Sequence, residues 1–175
     1  ITDAVADPPG IAEALHSERL LRLPHSQWCF RPPEAVRELA VARDPSDETF
    51  TFGSFNQFAK ISGSTIALWI ATLNGVPQAR LRIVGAPRGF ATSSLAGKLT
   101  RAGIDPARYD VVARVSLADY FAQYRRVDAC LDSTPYSGGT TTCDALWMGL
   151  QVVTLAGTRS MSRSSASLLA AVGLA

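Results

Sequence analysis

The stretch DSTPYSGGTTTCD, residues 132–144, places Pro135, two glycines and three threonines between a strand-like and a helix-like segment. Glycines permit a tight turn and close backbone approach, and the first N–H groups of a helix, with its dipole, attract an anion. Thr140, Thr141 and Thr142 add hydroxyls at the cap and first turn. Asp144 lies one turn in, where its carboxylate can accept from ribose hydroxyls or from backbone N–H groups. The pattern suits a phosphate, and it equally describes a well-capped helix after a glycine turn. It is neither GxGxxG nor a Walker loop. A second stretch, GSFNQFAKI at residues 53–61, offers the amides of Asn56 and Gln57 and the charge of Lys60. By itself a lysine after a strand is usually a solvated charge. Opposite a helix N-terminus the same ammonium can neutralise a diphosphate.

The elements that must bring these stretches together are legible as an alternation. Strand patterns at Thr49–Phe55, Arg80–Val84, Tyr109–Val115, Ala129–Asp132 and Gln151–Leu155 alternate with helical spacing at Ser62–Val76, Ser93–Ala102, Leu117–Arg126, Thr140–Met148 and Ser162–Val172. Five β-α units in succession predict an α/β fold, a Rossmann-like parallel sheet with helices on both faces, because parallel neighbours need crossover connections. Ligands of such sheets bind outside the carboxyl ends of the strands. Both motifs fall there, so a pyrophosphate is expected between the Thr140 helix and Lys60.

Composition narrows the class. With 175 residues, 47% hydrophobic and 18% charged, the chain is within range of one globular domain and is no disordered tail. No apolar run approaches the roughly 18 residues a membrane helix requires. A net charge of +2 lacks the clustered basic footprint of a nucleic-acid binder. Cys29, Cys130 and Cys143 form no CxxC pair, which argues against a disulfide framework or structural zinc and for a reducing, cytoplasmic setting.

Residues 1–48 read differently. Pro8, Pro9, Pro24, Pro32, Pro33 and Pro45 leave little room for regular structure, so this part is expected to be a connector with one short helix from Ile11 to about Arg22. His16 and His25 are expected to be ordinary surface or packing residues. Asp128 and Asp132 are expected to cap or pair structurally, Trp69 and Trp147 to pack, and Arg163 is a candidate to approach the cleft. The chain stops at Gly173-Leu174-Ala175 directly after an apolar helical pattern, which suggests a piece of something longer.

The strings TFGSFNQFAKIS, YRRVDACLDSTPYSGGTTTCDALWMG and VVTLAGTRSMSRSSASLLAAVGL closely resemble the nucleotide-sugar-binding half of the O-linked N-acetylglucosamine transferase and SPINDLY family of glycosyltransferases. The likeness runs from near Asp7 to the end of the chain. It implies the carboxyl-terminal lobe of a GT-B catalytic unit over residues 49–175, preceded by the end of the first lobe, with tetratricopeptide repeats elsewhere in the full-length chain and protein acceptors as partners. Lys60 would take the family lysine's role at the leaving diphosphate, beside Gln57. Thr140 and Thr141 would contact the diphosphate, Asp144 the ribose, and Val115 to Tyr120 the base.

The donor so implied is UDP-GlcNAc, or GDP-fucose in the SPINDLY-like branch, with no metal needed; a non-catalytic partner-binding module is the alternative from another class. Relatives often carry histidine at the positions of Tyr120, Gly139 and Ser160, and lysine at that of Leu117. Gly139 is shared with bacterial and SPINDLY-like members, so the doubt about donor contacts rests on Leu117 and Tyr120.

Overall fold

The computed structural model describes residues 1–37 and 49–174. Pro45 and the boundary expected near residue 48 lie outside them. Two short strands, β1 (Thr2–Asp3) and β2 (Arg22–Leu23), pair in parallel. The main sheet follows as β3 (Thr51–Ser54), α1 (Gly63–Gly75), β4 (Arg80–Ala86), α2 (Phe90–Arg101), β5 (Tyr109–Ala113) and α3 (Leu117–Tyr124). It continues through β6 (Ala129–Leu131), α4 (Thr140–Trp147), β7 (Gln151–Val153) and α5 (Ser164–Ala171). The five-element alternation is therefore present, and every pairing in the sheet is parallel.

Strand order is β5-β4-β3-β6-β7. The chain steps outward from β3 to β5, then returns across β3 to build β6 and β7. That reversal parts the loops leaving β3 and β6 and opens a crevice at their carboxyl ends, the place where open α/β sheets take ligands.

Alternating side chains along each strand feed two cores. One contains Leu81, Ile83 and Leu131 under Ile66, Trp69, Leu73, Leu95 and Leu99 of α1 and α2. The other contains Val84, Cys130 and Val152 under Phe121 and Tyr124 of α3, Ala145 of α4, Met148 just after it, and Leu169 of α5. Each large side chain removed from water in this way contributes about 1.5–3 kcal/mol. Among the described residues no helix is long and apolar enough to cross a membrane.

The amino-terminal segment departs from expectation. Over Ile11–Arg22 there is only a single 3-10 turn, Ala12–Leu15, before the chain extends into β2. Ala12 alone of that turn is buried while Leu15, Leu21 and Leu23 are exposed, so a longer helix would have no apolar face to bury. Arg22 pairs with Glu13 and donates from Nε to the Asp7 carbonyl.

Buried carboxylates dock this segment on the lobe. Asp3 accepts from the Ser167 hydroxyl of α5 and from the N–H groups of Val5, Ala6 and Gln27. Burial pushes Asp3 up, but these bonds, led by Ser167, hold it below the usual carboxylate range. Asp7 accepts from Thr2, Ser160 and His16, which makes His16 a packing residue. Arg163 donates to the carbonyls of Val5 and Gly157 and so braces the segment instead of approaching the cleft. Trp69 packs as expected, whereas Trp147 is 42% exposed, because α4 turns Thr142, Cys143, Asp144 and Ala145 inward.

Candidate donor-binding site

Asp132, one residue past β6, organises the crevice. Its Oδ1 accepts from Asn56 Nδ2 at 3.1 Å, from Ser133 N at 2.8 Å and from Gly138 N at 2.7 Å, and its Oδ2 accepts from Thr154 Oγ1 at 2.7 Å. The loop is thereby pulled into a tight path that ends at the amino terminus of α4. A Cβ at Gly138 would meet Thr142 Oγ1, with Thr141 Oγ1 at 3.0 Å and Asp132 Oδ1 at 3.1 Å, so close approach demands glycine. On the far side, Ser62 caps α1 by accepting from Thr65 N, and Ser62 and Thr65 donate to the Thr134 carbonyl.

Gly139 caps α4 through its carbonyl, which accepts from Thr142 N and Cys143 N. The N–H groups of Gly139, Thr140 and Thr141 have no acceptor among the described residues. They are the unpaired donors at a helix start, where the macrodipole favours negative charge. Asn56, 6% exposed, links the two loops, because its Oδ1 accepts from Thr141 Oγ1 at 2.9 Å while its Nδ2 donates to Asp132.

Lys60 enters from the 3-10 turn Phe58–Lys60 after β3. Its Nζ donates to the Ser137 carbonyl at 2.9 Å and sits 4.0 Å from the centre of the Tyr136 ring. Burial draws its pKa below the ordinary lysine value, and the Asp132 charge opposes that fall. Asn56, Gln57, Lys60, Gly139, Thr140 and Thr141 line one cavity of about 440 Å³. The ammonium and the helix N-terminus therefore face the same space, and no side chain plugs it.

A second cavity of about 340 Å³ adjoins the first through Asn56, Gln57 and Thr141. Its walls include Val84, Arg114, Val115, Leu117 and Tyr120. Apolar walls with a few converging polar groups, next to a helix N-terminus, have the form of a small-molecule pocket. Asp144 lines neither cavity. It is 7% exposed, and its Oδ2 accepts from the Tyr120 hydroxyl at 3.2 Å. Burial lifts its carboxyl to about 6, against the pull of that bond. Tyr120 also bonds the Tyr124 hydroxyl at 2.7 Å and stands edge-on to Phe55, which fixes its ring.

Trp28, Tyr136, Ser137 and Ser164 also line the first cavity, and Arg114 the second. None was singled out in the sequence. Tyr136 and Ser137 lie inside the recognised loop, so their nearness to Thr140 was a usable signal. Trp28 gives none, because it arrives from the segment ahead of the sheet. Among the described residues no three His, Cys, Asp or Glu side chains gather as a metal site.

The chain resembles known proteins along nearly its whole length. It is 38% identical to the tomato (Solanum lycopersicum) protein named "Probable UDP-N-acetylglucosamine--peptide N-acetylglucosaminyltransferase SPINDLY", over 99% of this chain and 19% of that one. It is 30% identical to the Caenorhabditis elegans protein named "UDP-N-acetylglucosamine--peptide N-acetylglucosaminyltransferase", over 73% of this chain and 11% of that one. The chain thus spans about a fifth or less of these curated relatives. A solved mutant of the O-GlcNAc transferase of Thermobaculum terrenum superposes with a TM-score of 0.84 at 35% identity, covering 99% of this chain and 33% of that one. Residues 40–175 match Glycosyl transferase family 41. With that match spanning most of its length and a parallel sheet that superposes on a solved relative, this chain belongs to glycosyltransferase family 41.

Proposed function

We propose that this chain holds the donor of a protein O-glycosyltransferase, which moves N-acetylglucosamine from UDP-GlcNAc to Ser or Thr hydroxyls with inversion at the anomeric carbon. The observation that carries the reading is the single cavity lined by Lys60 and by Thr140 and Thr141 at the start of α4. The names of the relatives, which give UDP-N-acetylglucosamine and a peptide, support the donor and a protein acceptor.

In the reaction the acceptor oxygen bonds to the anomeric carbon as the bond from that carbon to the diphosphate oxygen breaks. The electron pair leaves with the diphosphate. Negative charge therefore grows where the Lys60 ammonium and the free N–H groups of α4 already point, so these groups bind the transition state more strongly than the ground state. In this reading protein groups carry that charge, and no metal ion is called on. The acceptor hydroxyl must also lose a proton. Among the described residues lining the cavity there is no histidine or carboxylate to take it, so we assign the base to another part of the full-length protein. Tetratricopeptide repeats in that protein would present the acceptors.

GDP-fucose is the second donor to weigh, because TFGSFN and GGTTTC suit a SPINDLY-like branch as well, and Leu117 and Tyr120 stand in the base cavity. Calorimetric titration of the chain with UDP and GDP separates the readings. Tighter UDP binding is expected. Tighter GDP binding would give the fucosyl reading, and binding of neither would leave only a partner-binding module.

A further inference from the structure

We propose that Trp28 is the wall against which the donor's sugar ring lies, and that residue 139 is glycine to make room for its indole. The proposal rests on the donor-binding reading above and adds to it a specificity residue from outside the sheet.

Trp28 lines the cavity shared by Lys60 and Thr140, although it precedes the main sheet. A Cβ built on Gly139 would run into the six-membered ring of its indole, with Cζ2 at 3.0 Å and Cζ3 at 3.1 Å. The close approach of the indole by itself demands glycine at residue 139. The Trp28 Nε1–H has no acceptor among the described residues. With that N–H buried, what the half-buried indole offers the cavity is ring surface rather than a polar handle.

The backbone that carries the ring is anchored. Gln27 N donates to Asp3 Oδ2 at 3.0 Å, and the same oxygen accepts from Ser167 of α5. Trp28 N donates to Ser26 Oγ at 3.1 Å.

The shape of a nucleotide sugar then fixes the assignment. Nucleoside, diphosphate and sugar are linked in line. With the nucleoside in the second cavity, which joins the anion site through Asn56, Gln57 and Thr141, the sugar must extend toward the end lined by Trp28, Tyr136 and Ser164. A pyranose carries C–H groups on its faces and hydroxyls at its rim. An aromatic wall matches such a face, and the rim hydroxyls remain free for polar neighbours such as Ser164.

The test compares UDP with UDP-GlcNAc, and GDP with GDP-fucose, on the wild-type chain and on Trp28→Leu. The variant should weaken the nucleotide sugar about tenfold and the bare nucleotide less than about twofold. Gly139→Ala should weaken the nucleotide sugar in the wild-type background and much less in Trp28→Leu, since the clash is then gone. If Trp28→Leu does not fold, the wild-type chain answers by NMR. The indole N–H signal tied to Gly139 by a nuclear Overhauser contact should shift with UDP-GlcNAc and not with UDP. Equal weakening of nucleotide and nucleotide sugar, additive losses in the double variant, or an indole signal blind to the sugar would each overturn the proposal. Absence of any nucleotide binding by the wild-type chain is a different result and removes the donor reading itself.

Discussion

The Lys60 ammonium donates to the Ser137 carbonyl at 2.9 Å, a bond that spans 77 residues and joins the loop after β3 to the loop after β6. The same charge lies over the Tyr136 ring. Its direct contacts at the mouth of α4 are thus with neutral groups, and although the Asp132 charge acts on it as well, the ammonium faces the cavity that an anion would enter.

Removing that charge should slow the chemical step. In the full-length protein Lys60→Ala should lower kcat by about 10²–10³, the range found when one preorganised donor to a developing anion is deleted. KM for the acceptor should change little. Steady-state kinetics check this, and a normal turnover number would remove Lys60 from the proposed role.

Asp132 is predicted to be the structural keystone of the site. Asp132→Ala leaves the donors of Asn56, Ser133, Gly138 and Thr154 without their acceptor, and each buried donor left unpaired costs about 1–3 kcal/mol. Asp132→Asn should be far milder. Three of the four bonds converge on Oδ1, which an amide oxygen replaces, and the Thr154 hydroxyl can turn to accept from the amide nitrogen. Urea unfolding of both variants measures the difference. Equal losses would show that the carboxylate charge, rather than the acceptor geometry, holds the loop.

Asp144 should impose a pH dependence on stability. Burial raises its carboxyl from 3.8 to about 6, so folding favours the protonated form. The associated stability is fully present below about pH 4 and is lost as pH rises through about 6. Asp144→Asn stays neutral throughout and keeps an oxygen to accept from Tyr120. Its Tm relative to wild type should therefore rise between pH 4 and pH 8, on the order of a few degrees for a chain of this size. Thermal unfolding across that range checks it, and a pH-independent difference would mean that Asp144 is not buried in its charged form.

Much of this protein was legible in its residues. The alternation of strand and helix patterns from Thr49 onward carried the α/β class, because each period reflects which face of an element is buried, and that is a local property of the chain. Lys60, Thr140 and Thr141 were legible for the same kind of reason: their motifs are contiguous, and each lies at a strand end.

What adds up along the chain could be read there, and what depends on two distant segments meeting could not. The order β5-β4-β3-β6-β7, which sets the loops after β3 and β6 beside each other, is a choice among ways of stacking similar units. The helix expected at Ile11–Arg22 gives way to a 3-10 turn and a strand pairing, because its leucines have no partner surface. The bond from the Tyr120 hydroxyl to the Asp144 carboxylate joins α3 to α4, 24 residues apart. Trp28 reaches the cavity on a segment that Asp3 ties to Ser167, 164 residues away. Such contacts are specified by complementary shapes and by buried polar groups that must find partners, and both arise only once the chain has closed on itself.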